Sequence, residues 1–241
     1  MAKVTKAGLN GAIGPLVFYT MNGKSYARSA PGPQSRKLKA KLQPQRNFFG
    51  KISSLSSAMA GAIRGELNCP FGLHAYNALR GWVFRQYKID TEQGNMPLHI
   101  NLNELCELND AASLRQLLKA GISVADTGGG NLSVSIESFN PAKDMKVPAG
   151  AEWINLKLIC ARAEGGQTAE LHFVRTIAQK MLPVSNKNLP AFEMELPTAG
   201  KKGSLVCLVL ALEFRSNENS GGIINNPSFL PAAGIALGKL G

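Results

Sequence analysis

No aspartate or glutamate occurs before Glu66, although the chain of 241 residues carries 16 acids. Over that stretch the bases are Lys3, Lys6, Lys24, Arg28, Arg36, Lys37, Lys39, Lys41, Arg46, Lys51 and Arg64. The net charge of +11 therefore belongs almost wholly to this first segment, and the remainder is close to neutral. A segment with charge of one sign repels itself and seeks anions. Candidate anions are nucleic acid, an acidic protein face or a phosphate-bearing surface.

Other shortages exclude whole classes. The four cysteines, Cys69, Cys106, Cys160 and Cys207, lie far apart with no C-x-x-C. A disulfide framework would be denser, so reduced, buried thiols are expected. The three histidines, His74, His99 and His172, sit in different stretches without ligand spacing, which argues against zinc or iron. No cofactor is expected. No apolar run approaches the roughly 20 residues of a membrane helix. The longest run, "SLVCLVLALEF" from Ser204 to Phe214, suits a buried strand. These readings predict a soluble protein without membrane insertion, cytoplasmic or carried in a virion if phage-derived.

Catalytic signatures are equally scarce. The spacing of Gly8, Gly11 and Gly14 matches no phosphate-binding loop, and Gly23-Lys24-Ser25 has Phe18 where that loop needs its first glycine. "TGGGN" (Thr127 to Asn131) precedes a strand pattern, where a dinucleotide site would need a strand before it and a helix after. It reads as a turn. No G-x-S-x-G elbow occurs. Asp90/Glu92 and Glu104/Glu107 are acid pairs, and the second lies near a predicted helix start, where acids favour the dipole. The expectation is that the protein is not an enzyme.

At 44% hydrophobic and 18% charged residues, the chain has the material for a core. "LVFYTMNGKSYARS" reads as two strands about Asn22-Gly23, the strongest short hairpin signal. That turn pairs Met21 with Lys24, Tyr19 with Tyr26 and Val17 with Arg28. A hairpin alone is marginal in water and must pack on something. "APGPQSRKLKAKLQP" (Ala30 to Pro44) reads as an extended linker, because Pro31, Pro33 and Pro44 discourage helix.

From Gln45 the apolar period becomes helical, with Phe48, Ile52, Leu55, Met59 and Ala62 as its stripe. A second helix is predicted over Leu73 to Tyr87, with Leu73, Tyr76, Leu79, Val83 and Tyr87 facing inward. Asn68-Cys69-Pro70 marks the turn between the two. "PLHINLNEL" suits a short strand. "NDAASLRQLLKAG" suits a short helix capped by Asp110 or Asn109.

Beyond Gly121 the period becomes two. "NLSVSIESF", "EWINLKLICARAE", "LHFVRTIAQKML" and "AFEMELP" alternate, and "SLVCLVLALEFR" reads as a central strand covered on both faces. The tail reads as a last strand or an arm. The predicted fold is α+β and β-rich: an N-terminal β-hairpin and helical pair, followed by an immunoglobulin-like antiparallel β-sandwich. The predicted segments are 1–44 as a basic, glycine-rich arm with hairpin and linker, 45–121 as mainly helical, and 122–241 as the sandwich.

Gly11, Gly14, Gly23, Arg28 and Pro31, followed by Gln43, Arg46 and Phe49 in a Q-x-x-R-x-x-F order, resemble a family of uncharacterised bacterial proteins grouped as a domain of unknown function. The resemblance covers the first 65 residues firmly and the β-rich half loosely, and it implies no established activity. On the residues themselves, Gln43 and Arg46 suit a tie between helix and hairpin, and Phe49 is expected to root the helix in the core.

Two functions follow. The first is a structural subunit that self-assembles through its N-terminal hairpin into a filament, ring or virion-like particle. Tyr19, Lys24, Tyr26, Arg28, Arg36, Lys37, Lys39 and Lys41 are the candidate contacts, for assembly or for a polyanion. The alternative is binding of nucleic acid or another polyanion through residues 1–51.

Overall fold

The computed structural model describes residues 3–5, 8–21, 23–30, 36–93, 99–100, 105–164, 172–197, 204–218 and 222–240. The chain divides into two compact units, Met1–Phe49 and Gly50–Gly241.

The first unit opens with four antiparallel strands in chain order: β1 (Lys3–Thr5), β2 (Gly8–Ile13), β3 (Leu16–Met21) and β4 (Lys24–Ser29). The β3–β4 register pairs Met21 with Lys24, Tyr19 with Tyr26 and Val17 with Arg28, as the Asn-Gly turn requires. Gly23 takes φ +74°, which a side chain would resist. The first two strands are not visible in the sequence pattern. Glycine is a poor strand former, so β2 is ordered by pairing with β3, and β1 in turn by pairing with β2.

Helix α1 (Arg36–Arg64) contains Pro44 within it, and this corrects the expected linker. The helix begins nine residues earlier than the periodicity at Gln45 indicated. Arg36 to Gln43 is built from arginine, lysine, leucine, alanine and glutamine, all strong helix formers. Each of these costs a helix little, whereas the one proline costs about 3 kcal/mol, and the helix carries it.

In the second unit the later part of α1 buries Ile52, Leu55 and Met59 of the predicted stripe, and Ile63 in place of Ala62, which is only half-buried. The chain turns at Asn68-Cys69-Pro70 and enters α2 (Leu73–Gln93). Its buried stripe is Ala75, Leu79, Trp82, Val83 and Gln86, while Leu73 is 73% exposed. The predicted stripe is therefore rotated, because Trp82 is drawn into the sheet. Two short strands follow, β5 (His99–Ile100) and β6 (Cys106–Glu107), then a single turn α3 (Leu114–Leu117). The cap of α3 is Ser113, not Asp110 or Asn109. The Glu107 carboxylate accepts from Ser113 Oγ and from the Leu114 amide. It holds the helix start, where a negative charge is favourable.

The hairpin β7 (Ile122–Gly128) and β8 (Asn131–Ile136) turns at the glycines of "TGGGN". After the one-turn α4 (Pro141–Asp144) come β9 (Trp153–Glu164), β10 (His172–Pro183), β11 (Phe192–Pro197), β12 (Leu205–Arg215) and β13 (Ala232–Lys239). One sheet has the order β10-β9-β12-β13-β5, with β6 also on β13, and the other has β11-β8-β7. All strand pairings among the described residues are antiparallel. The fold is thus α+β and strand-rich.

Both sheets contribute to one core. Val124, Leu132, Val134, Ile136 and Met194 come from the smaller, and Leu156, Leu158, Leu208, Leu210 and Phe214 from the larger. Strand β12 is buried along nearly its whole length, as its apolar run predicted. On the second face of this sheet, β13 and β6 lie against α2, while Lys157 of β9 and Glu213 of β12 reach the turn after α1. A Cβ on Gly234 would lie 2.5 Å from the Trp82 ring, so glycine lets the indole lie directly on β13.

Candidate assembly surface

Alternation along β3 and β4 sorts their side chains onto two faces. Cross-strand partners share a face, so Val17, Tyr19 and Met21 lie with Lys24, Tyr26 and Arg28. Leu16, Phe18 and Thr20 lie with Ser25, Ala27 and Ser29. Tyr19 and Tyr26 stack with ring centroids 5.5 Å apart and planes inclined by 21°. The Arg28 guanidinium carbon lies 5.9 Å from the centre of the Tyr19 ring, within cation–π range. Four of the predicted contact residues, Tyr19, Lys24, Tyr26 and Arg28, are thus brought to one face.

That face is open. Tyr19, Tyr26 and Met21 are exposed, Met21 by 54%. Ile13 and Leu16 are also exposed, and every residue of β4 is exposed on either face. Among the described residues, no strand pairs with the outer edge of β4. An uncovered edge presents a row of backbone donors and acceptors to another chain.

Arg36, Lys37, Lys39 and Lys41 fall on α1, but their side chains lie outside the described residues. Gln43 is exposed, and its amide donates to Asn47 Oδ1 at 2.9 Å, along the same helix. Arg46 is also exposed. Phe49 is 57% exposed and sets its ring edge against Phe48, with centroids 6.5 Å apart. The expectation that Phe49 enters the core is corrected. It belongs to a stretch of α1 that carries polar residues on most sides, and burial begins only at Ile52.

The sequence reading missed a buried polar layer on the second face of the larger sheet. Glu66 receives Arg175 Nε at 3.1 Å and lies 3.4 Å from Lys157 Nζ. Glu213 accepts from Asn68, Asn155 and Arg215. Asn155 also donates to Gln179 at 3.1 Å. Asn155 is 1% exposed and Lys157 is 8% exposed. Both obey the strand alternation of "EWINLKLIC", but their side of β9 is covered. The one available signal was Glu213, an acid inside the longest apolar run. Each carboxylate in this layer is held by cations or amides, an arrangement that ties elements together.

All four cysteines are free and buried. Burial pushes the Cys69 thiol up to about 11, and those of Cys106 and Cys160 up to about 12. Cys207 is raised as well, by burial and by the neighbouring Cys106 and Cys160. These are inert thiols at neutral pH.

Clefts in the second unit include two lined by described residues. One, of about 530 Å³, is lined by Arg64, Phe71, Leu73 and Tyr76 among others. The other, of about 460 Å³, includes Leu114, Arg115, Leu118 and Lys119. Neither is lined by an acid or a histidine among the described residues. No group of three or more metal-binding side chains occurs among the described residues. Among them, too, no helix is long and apolar enough to cross a membrane.

No protein-family model, curated protein or solved structure matches the chain.

Proposed function

We propose that this protein is a non-enzymatic structural subunit that self-assembles through its N-terminal sheet. The observation that carries the reading is the open face and edge of β4, with Tyr19, Met21 and Tyr26 exposed beside it. A small sheet with apolar side chains uncovered on both faces gains by burying them against a partner. A repeated head-to-tail contact yields rings or filaments, and a two-fold contact yields dimers. A filament, ring or virion-like particle is compatible with this reading, in a cytoplasmic or virion setting. An immunoglobulin-like arrangement of the two sheets, and kinship with the uncharacterised bacterial family through Gly11, Gly23, Arg28 and Gln43, remain parts of the same proposal.

A second reading has its own support. Tyr19, Tyr26, Lys24 and Arg28 share one sheet face, and aromatic side chains beside bases suit a single-stranded nucleic acid. Salt separates the two readings. Polyanion binding by this basic segment weakens steeply with salt. Association of two equally basic segments is opposed by repulsion, which salt screens.

The test is sedimentation of the full chain over a range of protein concentrations at low and high salt, with and without a single-stranded oligonucleotide. Growth in size with protein concentration supports assembly. A protein that stays monomeric and binds the oligonucleotide only at low salt supports the alternative.

A further inference from the structure

We infer that the outer edge of β4 is occupied by β4 of a second copy, in an antiparallel pairing centred on Ala27. This rests on the assembly reading above and names the partner strand and its register. Met21 and Lys24 flank a two-residue turn, and such a flanking pair exchanges backbone hydrogen bonds across the hairpin. Backbone groups then alternate in direction along β4. Those of Lys24, Tyr26 and Arg28 point toward β3, and those of Ser25, Ala27 and Ser29 point outward. The outward-pointing residues are all small and exposed, so no bulky side chain stands over the donors and acceptors that a new strand would use.

The register follows from charge. An antiparallel, two-fold pairing about Ala27 sets Ser25 against Ser29 of the second copy, and Tyr26 against its Arg28. Each Arg28 then meets an aromatic ring, as it already does with Tyr19 within its own hairpin. The Tyr26–Arg28 pairs fall at the positions that are not hydrogen-bonded, where side chains approach more closely. A slip of one pair toward the turn sets Lys24 against Arg28. A slip the other way sets Arg28 against itself. Like charges directly opposite destabilise a sheet, so the register about Ala27 is selected. It joins two four-stranded sheets into one of eight strands and removes the open β4 edge from both.

The experiment is cross-linking of single-cysteine substitutions in the full chain. The four native thiols are buried and leave the background low. Across the proposed dyad, the two Cα atoms of residue 27 lie about 5.5 Å apart, which suits a disulfide. Ala27→Cys is expected to give a covalent dimer under mild copper–phenanthroline oxidation. Ser25→Cys alone and Ser29→Cys alone are expected to give little, while an equal mixture of the two gives the heterodimer. A second variant, Ala27→Pro, removes only an outward N–H, a place where an edge strand tolerates proline. It is expected to weaken dimerisation by about tenfold or more, since two inter-copy hydrogen bonds are lost.

Equal cross-linking at residues 25, 27 and 29 overturns the register. Assembly that persists undiminished in Ala27→Pro, with no cross-link at residue 27, overturns the β4 contact but leaves assembly through another surface. A wild-type chain that is monomeric throughout overturns the assembly reading together with this one.

Discussion

Lys157 and Glu66 lie 91 residues apart and meet twice: Lys157 Nζ donates to the Glu66 carbonyl oxygen at 2.6 Å and lies 3.4 Å from its carboxylate. One contact is to backbone and the other to side chain, so the turn after α1 is fixed to β9. Removing one member of a largely buried pair leaves the other charge without its partner. Glu66→Ala is expected to destabilise the fold by about 3 kcal/mol, because Lys157 is left nearly buried. Lys157→Met is expected to cost less, since Arg175 still holds Glu66 and methionine fills the space. Denaturant unfolding of the two variants checks the order. Equal losses would show that the pair acts only through packing.

Gly234 and Trp82 supply a second test. Gly234→Ala places a methyl within 2.5 Å of a ring that is almost wholly buried. Overpacking of this kind costs about 1–3 kcal/mol. A smaller side chain at residue 82 should relieve the clash, so Gly234→Ala is expected to cost less in a Trp82→Leu background. Additive losses in the double variant would contradict the contact.

The thiols predict an alkaline limit to stability. Their folded pKa values lie above the ordinary 9.0, at about 11 for Cys69 and about 12 for Cys106 and Cys160. The native state therefore holds these protons at pH values where the unfolded chain has released them. Stability from this source is complete below pH 9.0 and is lost as pH rises toward the folded values. A thiol reagent at pH 8 should label none of the four without denaturant, and unfolding midpoints should fall between about pH 9 and 12. Rapid labelling of the native chain at pH 8 would contradict the buried state.

Local signals carried the legible part of the fold. The β3–β4 register was readable because Asn22-Gly23 fixes it within a few residues, and the alternating strands and the apolar run of β12 were readable for the same reason. What escaped depends on partners distant in sequence or on competing terms. Strand β2 is ordered by β3 against glycine's preference, and β1 by β2. The start of α1 was hidden by Pro44, which reads as a break but lies within the helix. The inward face of α2 is set by Trp82 meeting Gly234. The polar layer joins Glu66 to Lys157 and Asn68 to Glu213, pairs separated by 91 and 145 residues, which no window along the chain reveals. At the candidate surface, the shared face of Tyr19, Tyr26, Lys24 and Arg28 was legible from the register. The exposure of Phe49 was not, because helical periodicity alone does not say where burial begins.

The charge of the N-terminal segment gives the last prediction and the most direct test of assembly. The proposed contact joins two segments that carry bases and no acid through Lys51, so it is expected to tighten as salt screens their repulsion. The measurement is sedimentation velocity of the full chain across a hundredfold range of protein concentration, at about 0.05 M and 0.5 M salt. The account predicts species larger than a monomer that grow with protein concentration and are favoured at the higher salt. A single monomeric species at every concentration and both salt levels would contradict it.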